Sequence, residues 1–319
     1  MVKIGVIGAG MWGKNHVRTL SGLDCNLAGL ADINPAAEKM AAEFGISYHR
    51  DYRDMLKEVD AVTVAVPTDL HYGIVKECLR QKKHVMVEKP ITLESEKARE
   101  LVSIAKNANL ILSVGYLYRF NASVVKLKEL LKDAGRIQYI TGRYIHSMKP
   151  PRKDSGAIFN LGIHLVDILN FILEERPVRV FSKKINCVAR EREDSAVILL
   201  DYGEYFANLE VSCCHPLKRR DMWIIAEKQK IYADFFEQTV TVHPIRVREN
   251  DVVRDKETKI AIAQNEPLRE ELKHFCNCVS KKDRGALERI MNIGEEEYYT
   301  TRLCELSLKS AETGRELTL

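Results

Sequence analysis

KIGVIGAGMWG, Lys3 to Gly13, is a short apolar run that breaks into three glycines and continues in a helical pattern. In a turn from a β-strand into a helix, the first glycine permits the tight bend and the second lets a pyrophosphate approach the backbone. The third glycine lets helix and strand pack closely, and the phosphates lie at the free N–H groups and positive dipole of the new helix. The stretch therefore predicts a dinucleotide site at Gly8, Gly10 and Gly13.

A second strand supports this interpretation over the alternative of a plain structural turn. Cys25 to Ala31 ends at Asp32, at about the spacing where an acidic side chain binds a ribose 2′-OH. Asp32 would repel a 2′-phosphate, and the residues that follow it, through Asn34 and Pro35, include no arginine. We therefore expect Asp32 and Asn34 to contact the cofactor, with NAD favoured over NADP. The alternative role of Asp32 is that of a helix cap.

Strand and helix patterns alternate through the first ~115 residues, which predicts an α/β fold with a doubly wound parallel (Rossmann) sheet. The nearly continuous apolar run from Asp60 to Val66 is typical of a parallel strand buried on both faces. Ligands of such sheets bind beyond the carboxyl ends of the strands. The segments expected there are Gly8 to Gly13, Asp32 to Asn34, Pro67 to His71, Glu88 to Pro90 and Tyr116 to Arg119.

The second half of the chain has a different periodicity. After the amphipathic helix from Ala122 to Lys132, the pattern changes from helical to strand-like. Between Ala207 and Cys213, apolar residues alternate with polar ones, as in a half-covered antiparallel sheet. We therefore predict an NAD-binding domain over residues 1–119. We predict an α+β domain over residues 120–319 with an open, mostly antiparallel sheet whose outer face another subunit can cover.

Composition limits the partners. The 319 residues are 45% hydrophobic and 29% charged, as in ordinary globular proteins. The net charge of +4 arises from 49 basic and 45 acidic residues mixed along the sequence, whereas nucleic-acid binders concentrate basic residues on one face. No apolar run approaches the length that spans a membrane, and the first predicted strand leaves no room for a signal peptide. We expect a cytoplasmic protein with neither a nucleic-acid nor a membrane partner.

The eight cysteines are scattered and form no paired CxxC arrangement. They resemble buried thiols in a reducing compartment. Cys213-Cys214-His215 and the Cys276-x-Cys278 pair contain ligand types that metals use, but a zinc site needs four ligands at suitable spacing. We therefore predict no metal site.

Two stretches contain candidate catalytic groups. Lys89 stands at a strand end beside Val87 and Pro90, where partial desolvation would lower its pKa and suit it to proton handling. A solvated lysine at a loop edge is the equal alternative. Farther along, Asn160, His164 and Asp167 share one stripe of a predicted helix. An imidazole there can take a hydroxyl proton while a hydride leaves the same carbon, although a packed histidine and a surface aspartate are the alternatives.

Four stretches together resemble the Gfo/Idh/MocA oxidoreductases, and the resemblance covers essentially the whole chain. They are Gly8-Ala9-Gly10-Met11-Trp12-Gly13-Lys14-Asn15-His16, Pro67-Thr68-x-x-His71, Glu88-Lys89-Pro90 and Arg119-Phe120-Asn121. That family consists of nicotinamide-dependent enzymes that act mostly on sugars, cyclitols and nucleotide sugars, commonly as dimers or tetramers. The resemblance implies that Lys89 lies near the nicotinamide and the substrate hydroxyl, and that its peptide bond to Pro90 is often cis.

The same resemblance assigns the other site residues. Cofactor contacts are implied for Gly8, Gly10, Met11, Trp12, Gly13, Asp32, Asn34, Pro67, Thr68, His71, Glu88 and Lys89, and substrate contacts for Arg119, Asn121, Asn160 and Asp167. A Gly-x-His-x-x-Asp helix that faces the nicotinamide is the second signature of the family, and it implies that His164 is catalytic.

Asn160 departs from the family pattern, because many members carry an aspartate there that takes part in proton transfer. An amide cannot accept that proton. The Asn-x-Gly-x-His form resembles the branch that oxidises C3 of UDP-N-acetylglucosamine or its uronic acid. The loop from Lys149 to Lys153 is basic and stiffened by prolines, and its Arg152 is a candidate for binding a diphosphate. A solvated polar loop is the alternative.

The expected function is oxidation of the 3-hydroxyl of a UDP-linked N-acetylhexosamine by an NAD-dependent dehydrogenase, with His164 as base and Lys89 polarising the hydroxyl. One alternative keeps the same chemistry on a free sugar or inositol. Another is a non-catalytic NAD-binding sensor or scaffold that has lost its proton relay at Asn160.

Overall fold

The computed structural model describes residues 1–147, 154–188, 191–248, 251–281 and 295–319. They form two units. The first consists of Met1–Leu117 and Leu268–Thr301, and the second consists of Tyr118–Pro267 and Arg302–Leu319.

The apolar runs of the first unit form a six-stranded sheet. Its strands are β1 (Lys3–Ile7), β2 (Asn26–Ala31), β3 (Ser47–His49), β4 (Ala61–Val64), β5 (His84–Val87) and β6 (Leu112–Val114). Their order is β3-β2-β1-β4-β5-β6, and every neighbouring pair is parallel. All residues of β4 and β6 are buried, as expected for strands covered on both faces. The predicted doubly wound sheet is confirmed.

Helices connect these strands. They are α1 (Met11–Leu20), α2 (Ala37–Glu43), α3 (Tyr52–Leu56), α4 (Thr68–Arg80) and α5 (Ser95–Asn107). Their apolar stripes face inward, as Val17 and Leu20 of α1 do. Asp51 caps α3 by accepting the N–H of Arg53 at 2.9 Å, as its position before a short helical pattern predicts.

A nine-stranded sheet and the helices α6 (Ala122–Leu131) and α7 (Ile163–Leu173) form most of the second unit. The long strands are β7 (Ile137–Ser147), β8 (Arg179–Ile185), β9 (Ser195–Asp201), β10 (Phe206–His215), β11 (Arg219–Ala226), β12 (Lys230–Asp234) and β13 (Thr239–His243). A separate hairpin pairs β14 (Ile245–Arg248) with β15 (Asp251–Arg254), and β16 (Thr258–Ile260) lies at one edge of the large sheet.

The large sheet is mostly antiparallel, as predicted, with the single exception of the parallel pair β7 and β10. That exception follows from the chain path, because a connection that includes α7 separates the two strands, and parallel neighbours need such a crossover. Ala207, Leu209 and Val211 of β10 are fully buried on the inner face. Gly142 of β7 brings Leu165 of α7 close to that face, since a Cβ at Gly142 would lie 3.6 Å from a Leu165 methyl.

Two further helices end the described chain, α8 (Pro267–Lys281) and α9 (Glu295–Thr313), followed by β17 (Leu317–Thr318) at the sheet edge beside β8. Gly314 follows α9 with a φ of +67°, the left-handed conformation typical of a residue just after a helix. Among the described residues, none of the helices combines the length and the apolar character needed to cross a bilayer.

Candidate active site

The three glycines between β1 and α1 each have a different steric environment. Gly8 has a φ of +100°, which favours glycine, and a Cβ there would lie 2.5 Å from the carbonyl oxygen of Ala65. A Cβ on Gly13 would lie 1.8 Å from the oxygen of Gly8, so this position sets how closely α1 approaches the turn. A Cβ on Gly10 would meet no atom of the described chain within 4 Å beyond its immediate neighbours, so the space above the helix terminus is open. This geometry fits the phosphates of a dinucleotide.

Asp32 lies at the end of β2 beside the glycine turn. Its Oδ2 accepts the N–H of Ala9 at 2.6 Å, and its Oδ1 accepts the N–H of Asn34 at 2.8 Å. A cavity of about 450 Å³ opens at this point, and its lining includes Gly10, Lys14 and Met40 besides Ala9, Asp32 and Asn34. The carboxylate therefore stands next to open space at the helix terminus, where the ribose of NAD would fit.

The loops after β4 and β5 are tied to each other. The two ring nitrogens of His71 lie 2.8 Å from the carbonyl oxygen of Pro90 and 3.0 Å from that of Val66. The ring is buried, and so is Thr68 at the start of α4, which follows Pro67. His71 thus holds the two strand ends together within the predicted cofactor region.

Glu88-Lys89-Pro90 follows β5 and contains a cis peptide bond between Lys89 and Pro90. The Glu88 carboxylate is buried, with Oε1 3.1 Å from Nε2 of His16 on α1. A Cβ on Gly115 would lie 3.3 Å from Oε2 of Glu88, so the glycine leaves room for this carboxylate. The Lys89 residue is only 5% exposed, in contrast to the alternative of a solvated lysine at a loop edge.

In the second unit, His164 lies in the first turn of α7. The turn before it, Ile158–Gly162, is a π-helix, a wider turn than the uniform α-helix that the spacing predicts. Asn160 belongs to this π-helical turn, and its backbone N–H donates to the oxygen of Gly156 at 2.9 Å. Glu193, in the connection from β8 to β9, accepts the N–H of Ile158 at 3.1 Å through its carboxylate.

Two tyrosine rings contact the imidazole of His164. Tyr118 meets it edge-on, with ring centroids 5.1 Å apart and an interplanar angle of 78°. Tyr144 of β7 stacks on it at 5.4 Å and 27°. The residue is 5% exposed, so the ring has a fixed position at the start of the helix.

Arg119 and Asp167 form a buried ion pair. Nε of Arg119 lies 3.0 and 3.1 Å from the two carboxylate oxygens, and Nη2 lies 2.5 Å from Oδ1. Both side chains are 1% exposed. The structure therefore brings together two of the predicted substrate residues, with each in contact with the other.

Asn121 caps α6. Its Oδ1 accepts the N–H of Ser123 at 3.0 Å, and its Nδ2 donates to the carbonyl oxygen of Phe235 at 2.9 Å. The side chain is buried and joins the helix start to the end of β12. Arg152 and the basic loop around it lie outside the described residues.

Tyr144, Glu193 and Arg220 are absent from the predicted site residues, although all three bear on the environment of His164. The alternation along β7 places Tyr144 on the same face as Ile140 and Gly142 and could have identified it. Glu193 gives no local signal, because its role depends on a helix start some 35 residues earlier in the chain.

The cysteines are free thiols, and metal-type ligands from three residues gather at one place. Ligand atoms of Cys187, Asp194 and Cys214 lie within 4.8 Å of one another. Oδ2 of Asp194 accepts the backbone N–H groups of Cys187 and Val188. Burial, together with a hydrogen bond to Asp194, raises the pKa of Cys214 to about 11, which disfavours the thiolate that a metal requires.

Comparisons with known proteins agree with this geometry. Residues 2–116 match the model of an oxidoreductase family with an NAD-binding Rossmann fold, and residues 124–232 match that of the GFO/IDH/MocA C-terminal domain. UDP-N-acetylglucosamine 3-dehydrogenase of Acidithiobacillus ferrooxidans is 26% identical over 283 residues, which cover 88% of this chain and 89% of that enzyme. Inositol 2-dehydrogenase of Rhizobium meliloti is 32% identical over 188 residues, which cover 56% of this chain and 57% of that enzyme.

A solved structure of the Acidithiobacillus ferrooxidans enzyme superposes with a TM-score of 0.86 at 24% identity and covers 98% of both chains, which shows a common fold. NAD is the cofactor of the family whose model matches the first unit. Both of these relatives are named dehydrogenases. The chain therefore belongs to the Gfo/Idh/MocA family of NAD-binding oxidoreductases.

Proposed function

We propose that this protein is an NAD-dependent dehydrogenase that oxidises the 3-hydroxyl of a UDP-linked N-acetylhexosamine. The observation that carries the proposal is the buried imidazole of His164, held between Tyr118 and Tyr144 at the start of α7. The relative that matches 88% of the chain is named for this reaction. The match to inositol 2-dehydrogenase spans little more than half of that enzyme.

His164 is the proposed base. Its two aromatic contacts restrict rotation of the ring, and a base with a fixed position needs little reorganisation when the proton moves. Asp167 does not need to receive the proton, because its carboxylate is already held by Arg119. Asn160 is able to donate a hydrogen bond to a sugar oxygen but cannot accept the proton.

Lys89 is the second proposed catalytic residue. A buried ammonium group that meets the substrate hydroxyl would stabilise negative charge developing on its oxygen. The His71 contact to Pro90 gives the lysine backbone a fixed position.

The glycine turn and Asp32 would hold the cofactor, with its phosphates above Gly10 and a ribose beside the carboxylate. When bound, NAD supplies the acceptor for the hydride that leaves the carbon bearing the hydroxyl. The hydroxyl proton passes to Nε2 or Nδ1 of His164, so the substrate loses two electrons and two hydrogens in all.

A second candidate is the same reaction on a neutral cyclitol. The 32% identity to inositol 2-dehydrogenase favours it. The non-catalytic sensor, by contrast, would bind NAD and reduce none of it with any sugar.

The test measures NAD reduction with UDP-N-acetylglucosamine, N-acetylglucosamine and myo-inositol for wild type, His164→Asn and Lys89→Met. We expect turnover by wild type to require the UDP-sugar, and each variant to lose at least ~100-fold in kcat while NAD affinity is retained. His243→Asn on the second unit and Lys57→Met after α3 are matched controls, and both should keep wild-type rates. Near-normal rates for both site variants would exclude the assigned roles, and no NADH with any sugar would favour the sensor.

We propose that copies of this chain associate through the outer face of the nine-stranded sheet. Tyr139 and Phe206 stack on that face, 5.8 Å apart, and both are exposed, as is Val197. Sedimentation equilibrium of wild type and Phe206→Glu should then give a dimer or tetramer and a smaller species, respectively.

We propose a cytoplasmic location, since all eight cysteines carry free thiols, as is usual in a reducing compartment. Fractionation of cells that express the tagged protein would test this.

A further inference from the structure

Arg220 lies on the inner face of the large sheet, directly beside Tyr144. The two residues are register partners in the antiparallel pair of β11 and β7. Met222 and Ile224 follow on the same side of β11, and both are fully buried. Because side chains alternate along a strand, the guanidinium of Arg220 lies on the same face of the sheet as Tyr144. Tyr144 contacts His164 of α7.

The contacts of Arg220 are the same aromatic rings that hold His164. Its Nη1 donates to the hydroxyl of Tyr118 at 3.2 Å. Its Cζ lies 4.8 Å from the ring centroid of Tyr144 and 5.6 Å from that of Phe236. Tyr118 and Tyr144 each contact both the guanidinium of Arg220 and the imidazole of His164.

Among the described residues, the guanidinium of Arg220 has no direct counter-ion. Within the described part of the chain it forms no ion pair, and its buried Nε makes no hydrogen bond. Asp234 attracts it only from beyond ion-pair distance, and Oδ1 of that carboxylate accepts the N–H groups of Phe236 and Glu237. Burial raises the pKa of Tyr144 well above its ordinary value, so this neighbour stays neutral.

Two other arginines of the same unit are paired directly. Arg119 pairs with Asp167, and Arg143 pairs with Asp221 at 2.7 Å. A partly buried cation that lacks such a partner is costly unless a ligand supplies the negative charge. Arg220 therefore differs from its neighbours in a way that favours an anionic ligand.

The geometry around the guanidinium suits a phosphoryl group. Its planar fork of donors matches two oxygens of one such group, and stacking on Tyr144 fixes its orientation. Lys218, two residues earlier on the same side of the chain, places its Nζ 4.1 Å from the Phe236 ring and adds positive charge at the outer end of this row.

We propose that Arg220 binds a phosphoryl group of the sugar whose hydroxyl reacts at His164, and that this contact selects phosphorylated sugars over neutral ones. The inference rests on the proposed function but narrows it, because a neutral cyclitol has no group for this cation. A diphosphate of a nucleotide sugar and a monophosphate of a simple sugar share the recognised chemistry.

The experiment compares wild type, Arg220→Met and Arg220→Lys, with Arg219→Met as the neighbouring exposed control. Steady-state rates are measured with NAD and UDP-N-acetylglucosamine, N-acetylglucosamine 1-phosphate, glucose 6-phosphate, N-acetylglucosamine and myo-inositol. Titration calorimetry with UDP-N-acetylglucosamine measures binding without turnover. Loss of one charged hydrogen-bond donor should lower affinity and kcat/KM for the phosphorylated substrate by about 10- to 100-fold.

We expect Arg220→Lys to fall between wild type and Arg220→Met, since lysine keeps the charge but not the fork of donors. Arg219→Met should match wild type with every substrate. The phosphorylated substrate whose kcat/KM falls in Arg220→Met identifies whether the site binds a diphosphate or a monophosphate. Circular dichroism melts of Arg220→Lys and Arg220→Met verify that both variants are folded.

Two results would overturn the inference while leaving the dehydrogenase intact. One is an unchanged KM of Arg220→Met for a phosphorylated substrate, and the other is equal efficiency of wild type on neutral and phosphorylated sugars. Absence of any turnover by wild type counts against the proposed function instead. In that case calorimetry still tests the role of Arg220. Equal affinity of wild type and Arg220→Met for UDP-N-acetylglucosamine would refute it.

Discussion

Gly10 and Gly13 are three residues apart, yet the same added methyl group should affect them in opposite ways. A Cβ at Gly10 meets no described atom within 4 Å beyond its chain neighbours, and its φ of −66° is acceptable to alanine. A Cβ at Gly13 would lie 1.8 Å from a backbone oxygen, which cannot rotate away. The first glycine leaves room for a ligand, whereas the second allows close packing in the protein itself.

We predict that Gly10→Ala keeps the stability of the free protein within about 0.5 kcal/mol but weakens NAD binding, because the methyl group occupies the phosphate path. Gly13→Ala should lose about 1–3 kcal/mol of unfolding free energy even without NAD. Urea denaturation and NAD titration of both variants measure these effects. Wild-type NAD affinity in Gly10→Ala would mean that the phosphates lie elsewhere.

The ion pair of Arg119 and Asp167 gives a second contrast at this scale. Arg119→Met leaves a buried carboxylate without its guanidinium and should cost about 3–5 kcal/mol. The double variant Arg119→Met/Asp167→Leu removes both charges and should recover most of that loss. Urea unfolding curves test this. Equal instability of the single and double variants would show that the unpaired carboxylate of Asp167 is not the cause of the loss.

Helix α7 depends on a connection that is distant in sequence. A Cβ on Gly156 would lie 2.1 Å from Oε1 of Glu193, and the carbonyl of Glu193 accepts the N–H of Ala157 at 2.9 Å. The carboxylate also accepts the N–H of Ile158. Glu193 thus satisfies backbone donors that the start of a helix leaves open.

We predict that Gly156→Ala loses about 1–3 kcal/mol of stability through overpacking against Glu193. The double variant Gly156→Ala/Glu193→Ala should regain stability while kcat stays low, because the turn before His164 has lost its acceptor. Glu191→Ala, in the same connection, is the control and should match wild type. Chemical denaturation and steady-state rates separate the two effects, and full kcat in the double variant would contradict the positioning role.

The elements themselves are largely accessible from sequence, and the exceptions have a physical cause. Period-2 alternation in β10 and the apolar run of β4 indicate burial directly. The π-helical turn Ile158–Gly162 is not encoded in local spacing, because Glu193 supplies the contact at its start. Likewise, the partner of Asp167 lies far from it in sequence, so helix periodicity alone cannot distinguish a surface carboxylate from a buried one.

At the scale of the molecule, NAD should protect the first unit most directly. At 100 times its Kd, a ligand that binds only the folded state adds about 2.7 kcal/mol to the free energy of unfolding. Hydrogen exchange measured by mass spectrometry should slow in peptides that contain Gly8–Gly13 and Asp32–Asn34. Protection confined to the second unit would contradict the proposed cofactor site.

The fold of each unit and the cofactor turn can be anticipated because they rest on local pattern and on glycine sterics. The surroundings of His164 cannot be anticipated, since Tyr118, Tyr144 and Arg220 come from three separate segments that only the tertiary fold brings together. The chemistry of an imidazole is enough to suggest His164 as the base, whereas the residues that surround it are known only from the fold.

The connection from β8 to β9 is a loop between two strands, and such loops are common attachment points for a reporter or an affinity peptide. The hydrogen bond from Ile158 to Glu193 makes that choice a poor one, because an insertion there would pull on the segment that carries His164. We expect a fusion at this point to lower kcat, because it would disturb the turn before His164. Grafts belong instead at the Tyr202-Gly203-Glu204 turn, where a Cβ on Gly203 would meet no described atom within 4 Å beyond its chain neighbours.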